Sequence, residues 1–226
     1  MKKRFIGLLL LVFFFYLFGQ NQQAFAQHSE QPAVDSLIEK LGNNNSERAK
    51  VDLLAQLTWQ LRKQYPDSAN QYALQGIKLA SQINYLPGKA EIYKNLGSRF
   101  YNHAQYDSAI IKYNKSVDIY KTLLNSESDT SNKKIQKGIA EAYNGLGLVT
   151  YNQGKYKKAI EFYQKALTYH KKIDNKKGTA DCYNNIGLIY WNREDYQRAL
   201  EYYQTALELY NKVGDKNGVA NCYNNR

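Results

Sequence analysis

Proline is scarce in this chain, with 3 residues among 226, beside 2 cysteines, 3 histidines and an ordinary 14 glycines. So little proline excludes a collagen-like or proline-rich disordered chain. Two thiols and three scattered histidines, His28, His103 and His170, offer no metal-ligand spacing, so no metal and no cofactor is expected. Cys182 and Cys222 stand 40 residues apart at matching points of a repeated pattern, which reads as copied packing rather than a designed bridge. No Ser/His/Asp or Cys/His set recurs at a spacing that would serve nucleophilic catalysis. Gly145-Leu146-Gly147 lacks the strand-then-helix context of a phosphate loop. Glu141 and Asp181 are copies of one position and read as surface carboxylates, not as an acid/base pair. Over these 226 residues an enzyme is not expected.

Long apolar runs are lacking too, with one exception. Lys2-Lys3-Arg4 precedes an almost unbroken apolar stretch from Phe5 to Phe18, and Ala24-Phe25-Ala26 follows a Gln-rich flank. That order fits a secretory signal peptide over 1–26, cleaved after Ala26. The stretch is shorter than the ~20 residues a spanning helix needs. The chain is therefore expected to be exported to the periplasm or cell envelope, a compartment that permits disulfides. Without the three leader cations the formal charge of +11 falls to +8. Asp and Glu are interleaved with the Lys, which reads as a solvated helical surface rather than a nucleic-acid face.

What the sequence has in excess is tyrosine, 21 residues against 8 Phe and 2 Trp, as expected when one tyrosine-bearing motif has been copied. Gly138-Ile-Ala-Glu-Ala-Tyr-Asn returns at Gly178 and Gly218, each 40 residues on, and an earlier copy starts at Gly88. A fixed period of this size signals a repeat architecture. Asp67-Ser68-Ala69 and Asp107-Ser108-Ala109 show the same offset in a degenerate first copy. The reading is a short helix and linker at 27–46, repeats at 47–86, 87–124, 137–176 and 177–216, a polar loop at 125–136, and the opening of a fifth repeat at 217–226. Within the fourth copy, Ala180, Tyr183, Ile186, Gly187 and Tyr190 follow the 3–4 spacing of an amphipathic helix. Asn192-Arg193-Glu194-Asp195 is a turn, with Asp195 placed to cap a second helix carrying Ala199, Leu200, Tyr203, Ala206 and Leu207. Gly187 and Ala199 would let the two axes approach closely. One such pair cannot bury its apolar faces alone, so neighbouring pairs must stack.

Tyr183, Ile186, Gly187, Tyr190, Ala199, Tyr203 and Ala206 resemble the signature of the tetratricopeptide repeat. Tyr143, Leu146, Gly147, Ala159, Tyr163 and Ala166 match it in the third copy. The second copy supplies Tyr93, Leu96, Gly97, Phe100, Ala109, Tyr113 and Ser116. The resemblance implies an all-α, right-handed solenoid of stacked helix–turn–helix units. Three departures stand out. The period is 40 rather than the family's usual 34, so second helices or connectors should be longer; the proline that often ends the second helix is missing; and Leu57 replaces the small first-helix residue of unit one. The arrangement also resembles the N-terminal sensor half of bacterial signalling proteins. In these, a leader and long-period repeats precede a transmembrane helix and an output domain such as a histidine kinase. It implies an input region whose catalytic part, if any, would lie elsewhere.

Carried over from the family, first helices line a concave groove that contacts ligand. Its positions here are Lys94, Ser98, Tyr101 and Asn102, then Asn144, Leu148, Tyr151 and Asn152, then Asn184, Leu188, Trp191 and Asn192. The recurring aromatic–Asn pair suits an extended peptide, since amides can satisfy its backbone and flat rings can cover its side chains. The competing assignment is that these Asn side chains tie one repeat to the next. The partner implied is a peptide or protein, not nucleic acid, and membrane contact would come only through the leader or a helix downstream.

Overall fold

The computed structural model describes residues 31–125 and 129–225, which form ten helices and no strand. The expected leader, 1–26, lies outside the described residues. The chain divides into two compact units, residues 1–43 and 44–226. In the first, α1 spans Gln31–Asn43. The second contains α2 (Glu47–Leu61), α3 (Pro66–Gln82), α4 (Leu86–Asn102), α5 (Tyr106–Leu124), α6 (Asp129–Asn152), α7 (Tyr156–Lys172), α8 (Lys176–Asn192), α9 (Tyr196–Val213) and α10 (Lys216–Asn224). Each helix of this unit packs on the next, and first helices also touch the first helices of neighbouring pairs, α2 with α4, α4 with α6 and α6 with α8. That is an all-α solenoid of stacked helix pairs.

The period of 40 comes from the helices. α3, α4, α7 and α8 each run 17 residues, so both helices of a pair are long. The connectors α3–α4, α4–α5, α6–α7, α7–α8 and α8–α9 are only three residues each. The middle residue of each of these turns is left-handed: Asn84, Ala104, Gly154, Asp174 and Glu194, at φ between 52° and 71°. Gly214 repeats the conformation after α9 at φ 69°. An L-residue disfavours this region by about 1–2 kcal/mol, so the tight reversal is imposed by helix packing wherever glycine is missing. Asn175, Asp195 and Asp215 then cap α8, α9 and α10, each accepting from the backbone N–H three residues on.

Residues 129–136 correct the loop reading of 125–136, because they are helical and lengthen α6 to 24 residues. Ile135 supplies the reason. It is buried, one turn ahead of buried Ile139, and so extends the apolar stripe into a stretch that looked polar throughout.

Tyrosine rings and glycines form the core together. A Cβ added at Gly97 would lie 2.6 Å from Tyr113 Cδ1, and one at Gly187 would lie 2.8 Å from Tyr203 Cε1; Gly147 stands in the same way against Tyr163. The glycine gap expected to bring two helix axes together is thus filled by a ring from the partner helix. The first pair solves the same packing in reverse, with large Leu57 and small Ala73, both fully buried, at the positions of Gly97 and Tyr113. This exchange conserves volume. A second ring row joins neighbouring pairs: Tyr120 against Gly138, His170 against Gly178 and Tyr210 against Gly218.

Candidate functional site

The concave side of the first three helix pairs forms a cleft of about 790 Å³. From α2 it is lined by Asp52, Gln56, Trp59 and Gln60; from α4 by Glu91, Lys94, Asn95 and Ser98; from α6 by Lys134, Lys137, Glu141, Asn144 and Leu148. Tyr113 and Tyr120 of α5 reach its floor past Gly145 and Gly138. Lys134 belongs to the helical extension of α6, so the inserted turns contribute to the cleft wall.

Its floor is ionic. Lys94, 12% exposed, sits between Glu91 at 2.9 Å and Glu141 at 2.5 Å, and Tyr120 donates to Glu91 at 2.8 Å. Burial alone would lower Lys94, but the two carboxylates outweigh it and raise its pKa. Burial likewise works to raise Glu91, yet the Lys94 charge, the hydrogen bonds from Lys94 and Tyr120 and the Lys134 charge hold it below the usual carboxylate range. Asp52 goes the other way. Burial raises its pKa further than the Lys134 charge and a long 3.4 Å hydrogen bond from Tyr85 lower it. Around this network stand amides able to donate and accept, and Trp59, 42% exposed with the Arg62 guanidinium stacked 3.4 Å from its ring centroid. The arrangement can pair with a main chain and cover a side chain, while its buried charges largely satisfy one another.

Of the twelve groove positions expected from sequence, Lys94, Ser98, Asn144 and Leu148 line this cleft. Most of the others hold the repeats together. Asn152 Nδ2 donates to the Tyr101 hydroxyl at 3.0 Å and to Leu148 O at 3.0 Å. Asn192 Nδ2 donates to the Tyr151 hydroxyl at 2.6 Å. The aromatic–Asn recurrence is therefore a hydrogen-bond ladder from each unit to the one before. A second ladder runs beside it: Asn144 Oδ1 accepts from Asn185 at 3.3 Å, and Asn184 Oδ1 accepts from Asn225 at 3.2 Å and from the Cys222 thiol at 3.2 Å. Asn102 is exposed and Leu188 half-buried. Trp191 is half-buried against Tyr196 in an edge-on contact, centroids 4.8 Å apart.

The cleft residues that sequence reasoning missed are chiefly Asp52, Gln56, Trp59 and Gln60 of the degenerate first unit, together with Glu91, Lys134 and Glu141. Glu141, read as a surface carboxylate, binds Lys94 across two units. The signal available was charge: Lys94 replaces the Asn of later copies at 144 and 184, and a carboxylate stands at 91, 141 and 181.

The family model of the tetratricopeptide repeat matches residues 138–212 and again 183–226. A search of curated proteins returns no significant match. Among solved structures, aspartyl phosphate phosphatase F from Bacillus subtilis superposes with a TM-score of 0.71 at 17% identity, over 82% of this chain and 46% of that one. A Rap protein complexed with competence and sporulation factor gives 0.69 at 16% identity, over 92% and 60%. BtubC from P. vanneervenii gives 0.65 at 16%, over 87% and 89%. The chain thus spans about half the length of the phosphatase, and identities this low speak for the fold alone. Residues 138–226 match the tetratricopeptide-repeat model, and the helix pairs ahead of them continue the same helix-pair packing.

Proposed function

We propose that this helical repeat is a protein-interaction scaffold that holds an extended peptide or protein segment in the cleft of α2, α4 and α6. The observation that carries the reading is the cleft itself, about 790 Å³ and lined by amides, paired charges and an exposed tryptophan. The Rap protein complexed with competence and sporulation factor, similar in fold, supports the same direction. Export rests on the leader-like residues 1–26, and a role as the input region of a larger signalling protein, such as a sensor histidine kinase, rests on the resemblance of the repeats to such sensor halves. The twelve positions expected to form the groove divide under this proposal: Lys94, Ser98, Asn144 and Leu148 line the cleft, and the aromatic–Asn pairs set the spacing of the units.

The test is a selection from a random peptide display library on the purified protein, followed by anisotropy titrations of the selected peptides. Trp59→Ala should weaken binding about tenfold or more, as an aromatic anchor does. Its melting temperature should stay near that of the parent, because the ring is 42% exposed. No selected peptide, or peptides that ignore Trp59→Ala and Gln56→Ala, would refute the cleft as the site.

A further inference from the structure

The second helices α5, α7 and α9 do the same structural work in successive units, so differences among their outer faces are not demanded by packing. α7 carries Lys157, Lys158, Lys165, Lys171 and Lys172 against one carboxylate, Glu161, and all six are exposed. At the same five positions α9 has Gln197, Arg198, Thr205, Asn211 and Lys212, and α5 has Asp107, Ser108, Lys115, Lys121 and Thr122. Among the described residues none of the five α7 lysines is in an ion pair. Four of them are nonetheless held over aromatic rings, Lys171 over Tyr183 at 5.4 Å. Lys165 lies over both Tyr143 and Phe162, at 5.7 and 5.4 Å from the centroids; Lys158 lies over Phe162 at 5.9 Å and Lys172 over Tyr169 at 5.6 Å. Beneath them Tyr143 stacks with Phe162 and with Tyr169, each at 6.2 Å. A row of preordered, unneutralised ammonium groups therefore runs along one helix for roughly 22 Å at 1.5 Å per residue.

We propose that the outer face of α7 is a docking surface for an acidic protein segment, separate from the cleft. Charge complementarity sets the class of partner. The width of the strip narrows it further. The second helices on either side expose balanced charge, Asp107 and Asp118 beside Lys115 and Lys121 on α5, and Glu201 and Glu208 beside Arg198 and Lys212 on α9. A broad anionic plane such as a lipid surface would gain nothing from these charge-balanced flanks, whereas a single acidic helix or strand lying along α7 would meet the lysine row alone. The lysines also cover the ring faces, which leaves little bare aromatic surface for nucleic-acid bases to stack on.

The test uses an oligoglutamate of about 15 residues, long enough to lie beside the lysine row, titrated into the whole protein at low salt. The variant Lys157→Gln/Lys165→Thr/Lys171→Asn installs residues the fold already accepts in α9. It should bind roughly tenfold more weakly, since three exposed charge pairs are lost and each is individually weak. Its melting temperature should be unchanged. An equal-charge control, Lys63→Gln/Lys78→Gln/Lys212→Gln, should bind like the parent. Equal losses in the two triple variants would reduce the effect to net charge and overturn the proposal. Tighter binding to oligo-dT or to phosphatidylglycerol vesicles, each abolished by the α7 variant, would overturn it in favour of nucleic acid or membrane.

Discussion

Stability should fall on mild acidification, and His170 should be the cause. The ring is 3% exposed and occupies the slot that the neighbouring units give to Tyr120 and Tyr210. Its Nδ1 faces Asn175 Nδ2 at 3.1 Å, while Asn175 Oδ1 accepts the Gly178 N–H at 3.0 Å and so caps α8. That cap fixes the amide orientation and requires Nδ1 to be an acceptor. A proton there would set two donors against each other, or cost the cap. Burial lowers the His170 pKa more than the charges of Glu141 and Asp181 raise it, and Lys137 adds to the lowering. The folded protein therefore takes up this proton at lower pH than the unfolded chain does. The stability it contributes is complete above the ordinary imidazole value and is lost as pH falls below about 6.5, by at most about 1.4 kcal/mol at pH 5.5. For a protein of this size that is a drop of roughly 3–6 °C in melting temperature. His170→Tyr restores the residue of the neighbouring units. Its hydroxyl should reach Glu141, 29 residues back, as Tyr120 reaches Glu91 and Tyr210 reaches Asp181. Melting curves of both proteins from pH 7.5 to 5.5 decide the matter. The parent should lose stability and the variant should lose markedly less; parallel curves would refute the reasoning.

Asn152→Ala and Asn192→Ala each remove a rung between units and should cost about 0.5–1.5 kcal/mol in urea unfolding. A peptide held by the cleft should bind these folded variants as it binds the parent, whereas lost affinity at unchanged stability would return the ladder to the ligand site. Glu194→Gly should stabilise by about 1 kcal/mol, because φ of 61° suits glycine, and Gly154→Ala should destabilise by a similar amount, both read from urea midpoints. Lys94→Met leaves Glu91 and Glu141 facing each other without their shared cation. It should cost about 1–3 kcal/mol, less than a fully buried pair because the carboxylates are over a third exposed. The loss should shrink as pH falls through the carboxylate range, and a pH-independent loss would contradict the ionic account.

The period, the helix pairs and the membership of each helix in a pair were legible in the sequence because every unit must bury the same stripe in the same way. Ala199, Tyr203 and Ala206 recur at fixed offsets for that reason, and so does the turn carrying Asp195. Local pattern also placed Asp195 as a cap, since a cap needs only a backbone N–H three residues away. Where several residues of one copy differ, pattern was a poorer guide. Ile135 is a single apolar residue in a polar stretch, and only its packing in register with Ile139 makes 129–136 helical. The roles of the Asn residues were beyond sequence for a different reason. An amide can serve a ligand or a neighbouring helix equally well, and the choice depends on whether a Tyr hydroxyl 41 or 51 residues away comes within reach. The cleft is likewise a product of stacking. Asp52, Lys94, Lys134 and Glu141 come from three helices and share no motif, and only the superposition of the units, set by ring against glycine, brings them to one wall.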